Sequence, residues 1–378
     1  MEELSLNGQW IGEYTGTNQG HMIFDVDDVG THFEGRVYAY DSTSGLPATT
    51  AFVQTANKDN PFEAYLNLYP MIEPVADARD WKDVAANFPT GTAFPATAYA
   101  KASWDDNALT LEATTNIGTF VTASLPRSAA AQSSELVPMQ NVTNWEEFKH
   151  YVSGLEPRAH IFRGQKTPKR LRTSFHRRGR ADLVRFQLQD IQTLQRHLSS
   201  RITHIFNFKE PDEYGAFLNL VQHHGYPTPV LDWTYSPFVA AFFAYRHVKE
   251  SEAASAHEDV KVRILMLDKA QWSKYIPQLN LLRPFREHFS VAEFIGIENV
   301  RLVPQQSVST VTNVDDIESY IRAKENQVKQ VYLRAIDLPW AERTNVMREL
   351  QMMGITAGSL FPGIDGACEE LRERYFKE

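Results

Sequence analysis

Cysteine is nearly absent from this sequence of 378 residues; Cys368 is the single one. One thiol closes no disulfide within the chain and supplies no multi-cysteine zinc site. Long apolar runs are absent too, since no stretch approaches the roughly 18 residues that a membrane span needs. The opening residues, MEELSLNGQW, are acidic and polar and lack the basic and apolar regions of a secretory leader. These absences predict a cytoplasmic, reducing setting with no membrane partner. With 43% hydrophobic and 22% charged residues, the composition is that of a folded globular chain. Its length fits two domains, because single cores stop growing near 250–300 residues.

Charge is distributed unevenly. Residues 1–125 hold 17 acidic and 5 basic residues, a net of −12, while the remaining 253 hold 33 basic against 30 acidic. The basic charge clusters between Arg158 and Arg180, where nine Lys/Arg occur without one acid. Such a run marks a nucleic-acid site, compensation by the acidic lobe, or a solvated face.

Residues 1–125 read as β structure. HMIFDVDD and HFEGRVYAYD alternate apolar and polar residues around the turn at 27–30, and KASWDDNALTLEA and GTFVTASL form a second set around 116–118. A proline-punctuated stretch, Tyr69 to Pro95, separates them. This pattern predicts an antiparallel β barrel or sandwich. Its opening, NGQWIGEYTG, is similar to the first strand of lipocalin-like small barrels. Three roles stay open for it: a partner-binding or regulatory domain, a ligand-binding domain, or a structural cap. Residues 126–141, small and polar with two prolines, read as a linker.

From 142 to 378, strands and helices mix, which predicts an α+β domain. Asn144 or Thr143 caps a helix with acids in its first turn. HIFRGQ, VLDW, VRILMLD and QVYLRAIDL read as strands. Helical spacing runs from Asp182 to Phe208, from Glu213 to Gln222, from Pro237 to Val248, and over AERTNVMRELQMMG up to Gly354. LFPGIDG reads as a turn. His223 and His224 are adjacent, so on a helix they point about 100° apart and hold no common metal ion.

Three stretches, HIFRGQ (160–165), LVQHHGYPTPVLDWTYSPFVAAFFAY (220–245) and GITAGSLFPGIDGACEEL (354–371), resemble in order and spacing the FRG domain family, named for its Phe/Tyr-Arg-Gly motif. Gln222, His223, Gly225, Pro227, Thr228, Asp232, Trp233, Thr234, Pro237, Ala240 and Phe243 fall on the family pattern, as do Leu360, Phe361, Pro362, Asp365 and Gly366. The resemblance spans 142–378. FRG proteins are distantly similar to ADP-ribosyltransferases, and many act as toxins or anti-phage effectors. The resemblance therefore implies an α+β, ADP-ribosyltransferase-like FRG domain that uses NAD as co-substrate and no metal.

By that likeness Arg163, Thr234 and Gln305 take the three catalytic positions. The stretch 297–310 matches at Asn299, Arg301 and Gln305, but Ser307 replaces a family Gly and Ser309 a family Phe. Gln305 is a neutral amide where the transferases place a Glu, which removes it as a general base. The expected NAD contacts are Phe162, Gly164, Gln165, His223, His224, Asp232, Trp233 and Tyr235. Arg163 offers paired donors to phosphate or ribose oxygens, and Gly164 permits close approach to the backbone.

Each of these residues also has a plainer role. Arg163 fits an ion pair, and Asp232–Trp233 fits a structural lock. Lys166, Lys169, Arg170, Arg172, Arg177, Arg178 and Arg180 are the expected nucleic-acid contacts, for RNA or single-stranded DNA rather than duplex. The acceptor classes are nucleic acid, protein, or water in simple NAD hydrolysis. A toxin further implies an antitoxin or regulatory protein on the acidic N-terminal domain. Two non-transferase readings remain: a nucleic-acid or protein recognition module without chemistry, and a ribonuclease toxin.

Overall fold

The computed structural model describes residues 5–43, 45–71, 79–279 and 286–376. Residues 72–78 of the proline-punctuated stretch lie outside them. The chain is mixed α+β and is built on two antiparallel sheets.

The first sheet takes β1 (Gly8–Gly16), β2 (Gly20–Asp28), β3 (Phe33–Asp41), β4 (Ala48–Gln54), β5 (Phe62–Asn67), β6 (Tyr69–Met71), β7 (Thr97–Trp104), β8 (Ala108–Thr115) and β9 (Phe120–Pro126), with the short helix α1 (Trp81–Val84) before β7. Their spatial order is β5-β7-β8-β9-β1-β2-β3-β4-β6, a nearly closed barrel. Period-two alternation sends Trp10, Tyr14, Met22, Phe24, Val26, Phe33 and Leu125 inward to one core. The β2 strand departs from the expected half-buried alternation, because its outward residues Ile23, Asp25 and Asp27 are buried as well. The second region covers Asp27, while Ile23 packs against Tyr38, Ala48 and Met71 of the same sheet.

That region contains α2 (Trp145–Ser153), β10 (His160–Gln165), α3 (Leu183–Arg185), α4 (Ile191–Leu198), α5 (Pro211–His223), β11 (Val230–Thr234), α6 (Pro237–Tyr245), α7 (Glu250–Ser255), β12 (Lys261–Asp268), α8 (Lys269–Tyr275), β13 (Phe289–Ala292), β14 (Ser307–Thr312), α9 (Ile317–Val328), β15 (Leu333–Pro339), α10 (Arg343–Met352), α11 (Ala357–Leu360) and α12 (Ile364–Tyr375). The sheet order is β13-β14-β11-β10-β12-β15. One face, with Phe162, Ile264, Met266 and Ile336, packs on α2, α6 and α10. The other, with Ile161, Trp233, Leu265 and Leu267, packs on Trp272 of α8 and Ile321 of α9. Asn144 caps α2 by accepting from the Glu147 amide at 3.0 Å, as the sequence predicts.

Two expectations change. The helix foreseen from Asp182 to Phe208 ends at Leu198, after a π-helical stretch at Phe186–Asp190. Ile202 and Phe206 still reach the hydrophobic cluster, from a non-helical path. Gln195 donates to the Phe206 carbonyl, and Glu298 accepts the Thr203 and His204 amides. LFPGIDG is the junction of two helices, not a plain turn: α11 ends at Leu360 and α12 begins at Ile364, with Gly363 at φ +128° between them.

The expected linker lies along the second sheet. Ser133 bridges Lys169, Pro138 bridges Ala335 of β15, and Arg263 donates to Ser134 and the Leu136 carbonyl. The barrel itself docks through the outward side of β1–β3. Buried Asp27 accepts the Ala181 and Asp182 amides at 2.7 and 3.2 Å and pairs with Arg180 at 2.6 Å. Gln9 donates to the Asn313 carbonyl and accepts the Asp315 amide, both at 2.8 Å. His21 meets Glu287 at 2.5 Å.

Three groups of this interface bind protons more tightly when it is folded, whereas Glu287, despite burial, is held below its usual value by His21. Burial raises the Asp25 carboxyl well above its ordinary range, an effect that Gln9 only partly offsets, and burial also raises Asp182. For His21 burial acts downward, but the Glu287 and Glu13 contacts outweigh it and the imidazole titrates above its usual value. A raised folded pKa gives stability that is complete below the unfolded value and lost as pH rises through the folded one. Melting temperature should therefore fall as pH rises above the ordinary carboxylate and imidazole values. Asp25→Asn should flatten that fall and raise the melting temperature at pH 8 by about 2–4 °C, the shift expected for ~1 kcal/mol in a large chain. Calorimetry showing the same pH slope in both proteins would contradict this assignment.

Candidate functional site

Strands β10 and β11 share a single residue pair, Phe162 with Thr234. Beyond that pair the Arg163 guanidinium bridges them, and its Nη1 donates to the Asp232 carbonyl. Its Nε is shut off from solvent and has no hydrogen-bond partner. Burial lowers the guanidinium pKa to about 10, with Asp232 opposing the shift, so the group stays charged at neutral pH.

Asp232 connects this arginine to a histidine. His223 lies at the end of α5, and its Nε2 is 3.9 Å from Asp232 Oδ1. Both atoms are shut off from solvent, and neither has a hydrogen-bond partner. Asn299 Oδ1 accepts the Arg301 amide and lies 3.0 Å from His223 Nδ1. That orientation makes His223 Nδ1 the donor. In the neutral tautomer Nε2 is then an acceptor facing a second acceptor, and the pair calls for a donor between them.

The surrounding residues fix this arrangement. Asn299 donates to Asn219, and Asn219 donates to Ser309 on β14 at 3.1 Å. Arg301 Nη1 donates to the His223 carbonyl at 2.9 Å, and its guanidinium lies 5.4 Å from the centre of the Phe361 ring. Thr234 Oγ1 donates to the Gln305 carbonyl at 2.7 Å, and Gln305 Nε2 donates to the Leu360 carbonyl at 2.9 Å. Thr234 and Gln305 thus tie the end of β11 to the LFPGIDG junction. Gln222 accepts from the Thr228 hydroxyl, which clasps the turn where Gly225 takes φ +87°.

The other expected contacts are dispersed. Phe162 is buried under the helices, and Trp233 is buried on the opposite face with its indole donating to Thr310 at 3.0 Å. The Tyr235 hydroxyl meets Glu293 and Lys269 while Arg158 stacks 3.8 Å from its ring. His224 is exposed. Gln165 keeps a buried Oε1 without a partner. The space beside Gly164 is filled by protein: a Cβ there would lie 2.0 Å from the Ala240 carbonyl oxygen and 2.6 Å from the Ala244 nitrogen.

The basic run is largely engaged within the protein. Arg170 pairs with Asp316 at 2.8 Å, Arg172 with Asp315, Arg180 with Asp27 and Asp190, and Lys166 with Glu252 at 2.8 Å. Arg177 donates to the Arg172 carbonyl but is exposed, as are Lys169 and Arg178. Among the described residues, no group of three His, Cys, Asp or Glu side chains is placed to hold a metal ion, and no helix is long and apolar enough to cross a membrane.

Asn219 was not singled out in the sequence. The signal was present: it lies four residues before His223, one helical turn away on the same face.

Residues 158–253, from the approach to β10 into α7, match the model of the FRG domain family. The match includes Arg163, His223, Asp232 and Thr234 and stops before Asn299, Gln305 and Phe361. No curated protein matches the chain. One solved structure, "Structure of a redesigned beta barrel, mFAP1, bound to DFHBI", is similar at 13% identity over 32% of this chain and 94% of its own, with a TM-score of 0.23. So low a score carries no argument about fold or ligand.

Gly164→Ala should force α6 away from β10 and cost about 1–3 kcal/mol, the usual range for overpacking. Urea unfolding measures this, and an unchanged midpoint would refute the close-approach role.

Proposed function

We propose that the FRG-containing region transfers ADP-ribose from NAD to a macromolecular acceptor, within an intracellular toxin or defence effector, and that its fold is ADP-ribosyltransferase-like. One observation carries the reading: His223 Nε2 and Asp232 Oδ1, two closely spaced acceptors without partners, lie next to Arg163 with its unused Nε. Once the site opens to admit NAD, a ribose diol offers two O–H donors to this buried pair. A pyrophosphate oxygen suits the arginine.

NAD supplies a glycosidic carbon whose bond to the nicotinamide nitrogen breaks with the electron pair leaving on nitrogen. Asp232 then stabilises the positive charge that develops on the ribose, through its hydrogen bond to a ribose hydroxyl. In this reading the carboxylate of the site is Asp232. Gln305 has the supporting role of holding Leu360. As the acceptor's nucleophilic atom bonds to the sugar carbon, its proton passes to His223 or Asp232. Arg163 holds its ligand oxygen throughout.

Nucleic acid, as RNA or single-stranded DNA, remains the favoured acceptor, approached through Lys169, Arg177 and Arg178. A second reading, a recognition module without chemistry, is favoured by the engagement of the Gln305 amide with a backbone carbonyl.

Purified protein, adenylate-labelled NAD and cell lysate separate the readings. Label should enter one macromolecular fraction. Arg163→Ala and Asp232→Asn should each reduce incorporation by about 10²-fold or more, and expression of the wild type, but not of Arg163→Ala, should arrest growth. Full incorporation by Asp232→Asn would remove its assigned role. Absence of both labelling and nicotinamide release would leave the recognition module, and RNA cleavage without NAD would indicate a ribonuclease.

A further inference from the structure

The barrel is hollow at one end. At the other end, nearest β1's start and β9's finish, Trp10, Phe33, Trp104, Leu109 and Leu125 fill the interior completely. Inward positions in the opposite half carry small side chains instead: Ala39, Ala51, Ala98, Ala100 and Ala113. Their shared absence of volume leaves a cavity of ≈ 170 Å³. It opens between the turns that carry Asn18, Pro47 and Ile117. Tyr14 and Asp41 supply a charged corner, with the Tyr14 hydroxyl 3.4 Å from Asp41 Oδ2, and Thr49, Thr50, Thr115 and Thr119 also lie on the wall.

Protein interiors are close-packed, and five small residues converging on one end of a barrel are a departure from that rule. For scale, a dry apolar cavity of about 150 Å³ takes up benzene. A largely apolar wall with a carboxylate at its edge selects a ligand that is compact and mostly apolar and bears a donor for that carboxylate.

We propose that the N-terminal barrel binds a compact aromatic molecule, of one or two fused rings, that presents a single N–H or O–H donor to Asp41. The proposal stands on the barrel alone and is independent of the chemistry proposed for the second region.

Indole and N-methylindole are suitable probes of the full chain, titrated by calorimetry. Indole should bind saturably at one site. Ala100→Phe should weaken it at least tenfold by filling the space, and Ala113→Leu provides a smaller filling if the first variant does not fold. Asp41→Ala should weaken indole about tenfold and leave N-methylindole unchanged, the loss expected of one hydrogen bond. The proposal fails if neither probe binds saturably, if both fillings leave the affinity unchanged, or if Asp41→Ala affects the two probes equally.

Discussion

Helix α6 lies against β10 with backbone meeting backbone at Gly164, and much of the site depends on that contact. Because the helix sits so low, Ser236 caps it directly after β11, accepting the Val239 amide at 3.2 Å. Thr234, two residues earlier, accepts the Ser236 amide while donating to Gln305. Gln305 in turn holds the junction of α11 and α12. A short series of hydrogen bonds thus fixes where β11 ends, and with it the positions of Asp232 and the arginine that bridges the strands.

Part of the charge asymmetry of the sequence is resolved at the interface between the two regions, and the rest within the second region. Arg180 and the Ala181 and Asp182 amides just before α3 meet Asp27 across the interface, whereas Arg172 meets Asp315 within the second region. Glu34 lies 3.8 Å from Arg185. Buried carboxylates of this kind are stabilising only while fully paired, because an unpaired partner retains its desolvation penalty. The barrel is therefore part of the environment of the basic run. Separated at residue 125, the second region would lose the acceptors of the Ala181 and Asp182 amides.

Legibility in the sequence followed distance along the chain. The β2–β3 hairpin, the Asn144 cap and the stops at Gly225 and Gly354 depend on residues a few positions apart, and each was readable. The carboxylates that engage Arg170, Arg172 and Arg180 across the fold lie 146, 143 and 153 positions away, so the sequence left a nucleic-acid site, compensation by the acidic lobe and a solvated face all open for the run. The family likeness put Arg163, Thr234 and Gln305 in the catalytic positions and His223 and Asp232 among the NAD contacts, without showing that Asp232 presents the unpartnered oxygen. Strand β2 misled for a related reason: Asp27 on its outward side alternates correctly but faces the second region. The early end of α4 was hidden because Ile202 and Phe206 retain helical spacing while packing from a loop.

The segment from 127 to 141 has a further consequence. The β15 strand is one edge of the six-stranded sheet, and such an edge is a template for pairing with another chain. Pro138 bridges Ala335 there, and the Met139 amide donates to the Ala335 carbonyl at 2.9 Å. The connection between the two regions thus also serves as an edge guard, with a proline where a continuing strand would offer a donor. A second region produced without this segment would be prone to self-association through β15, whatever the state of its interior.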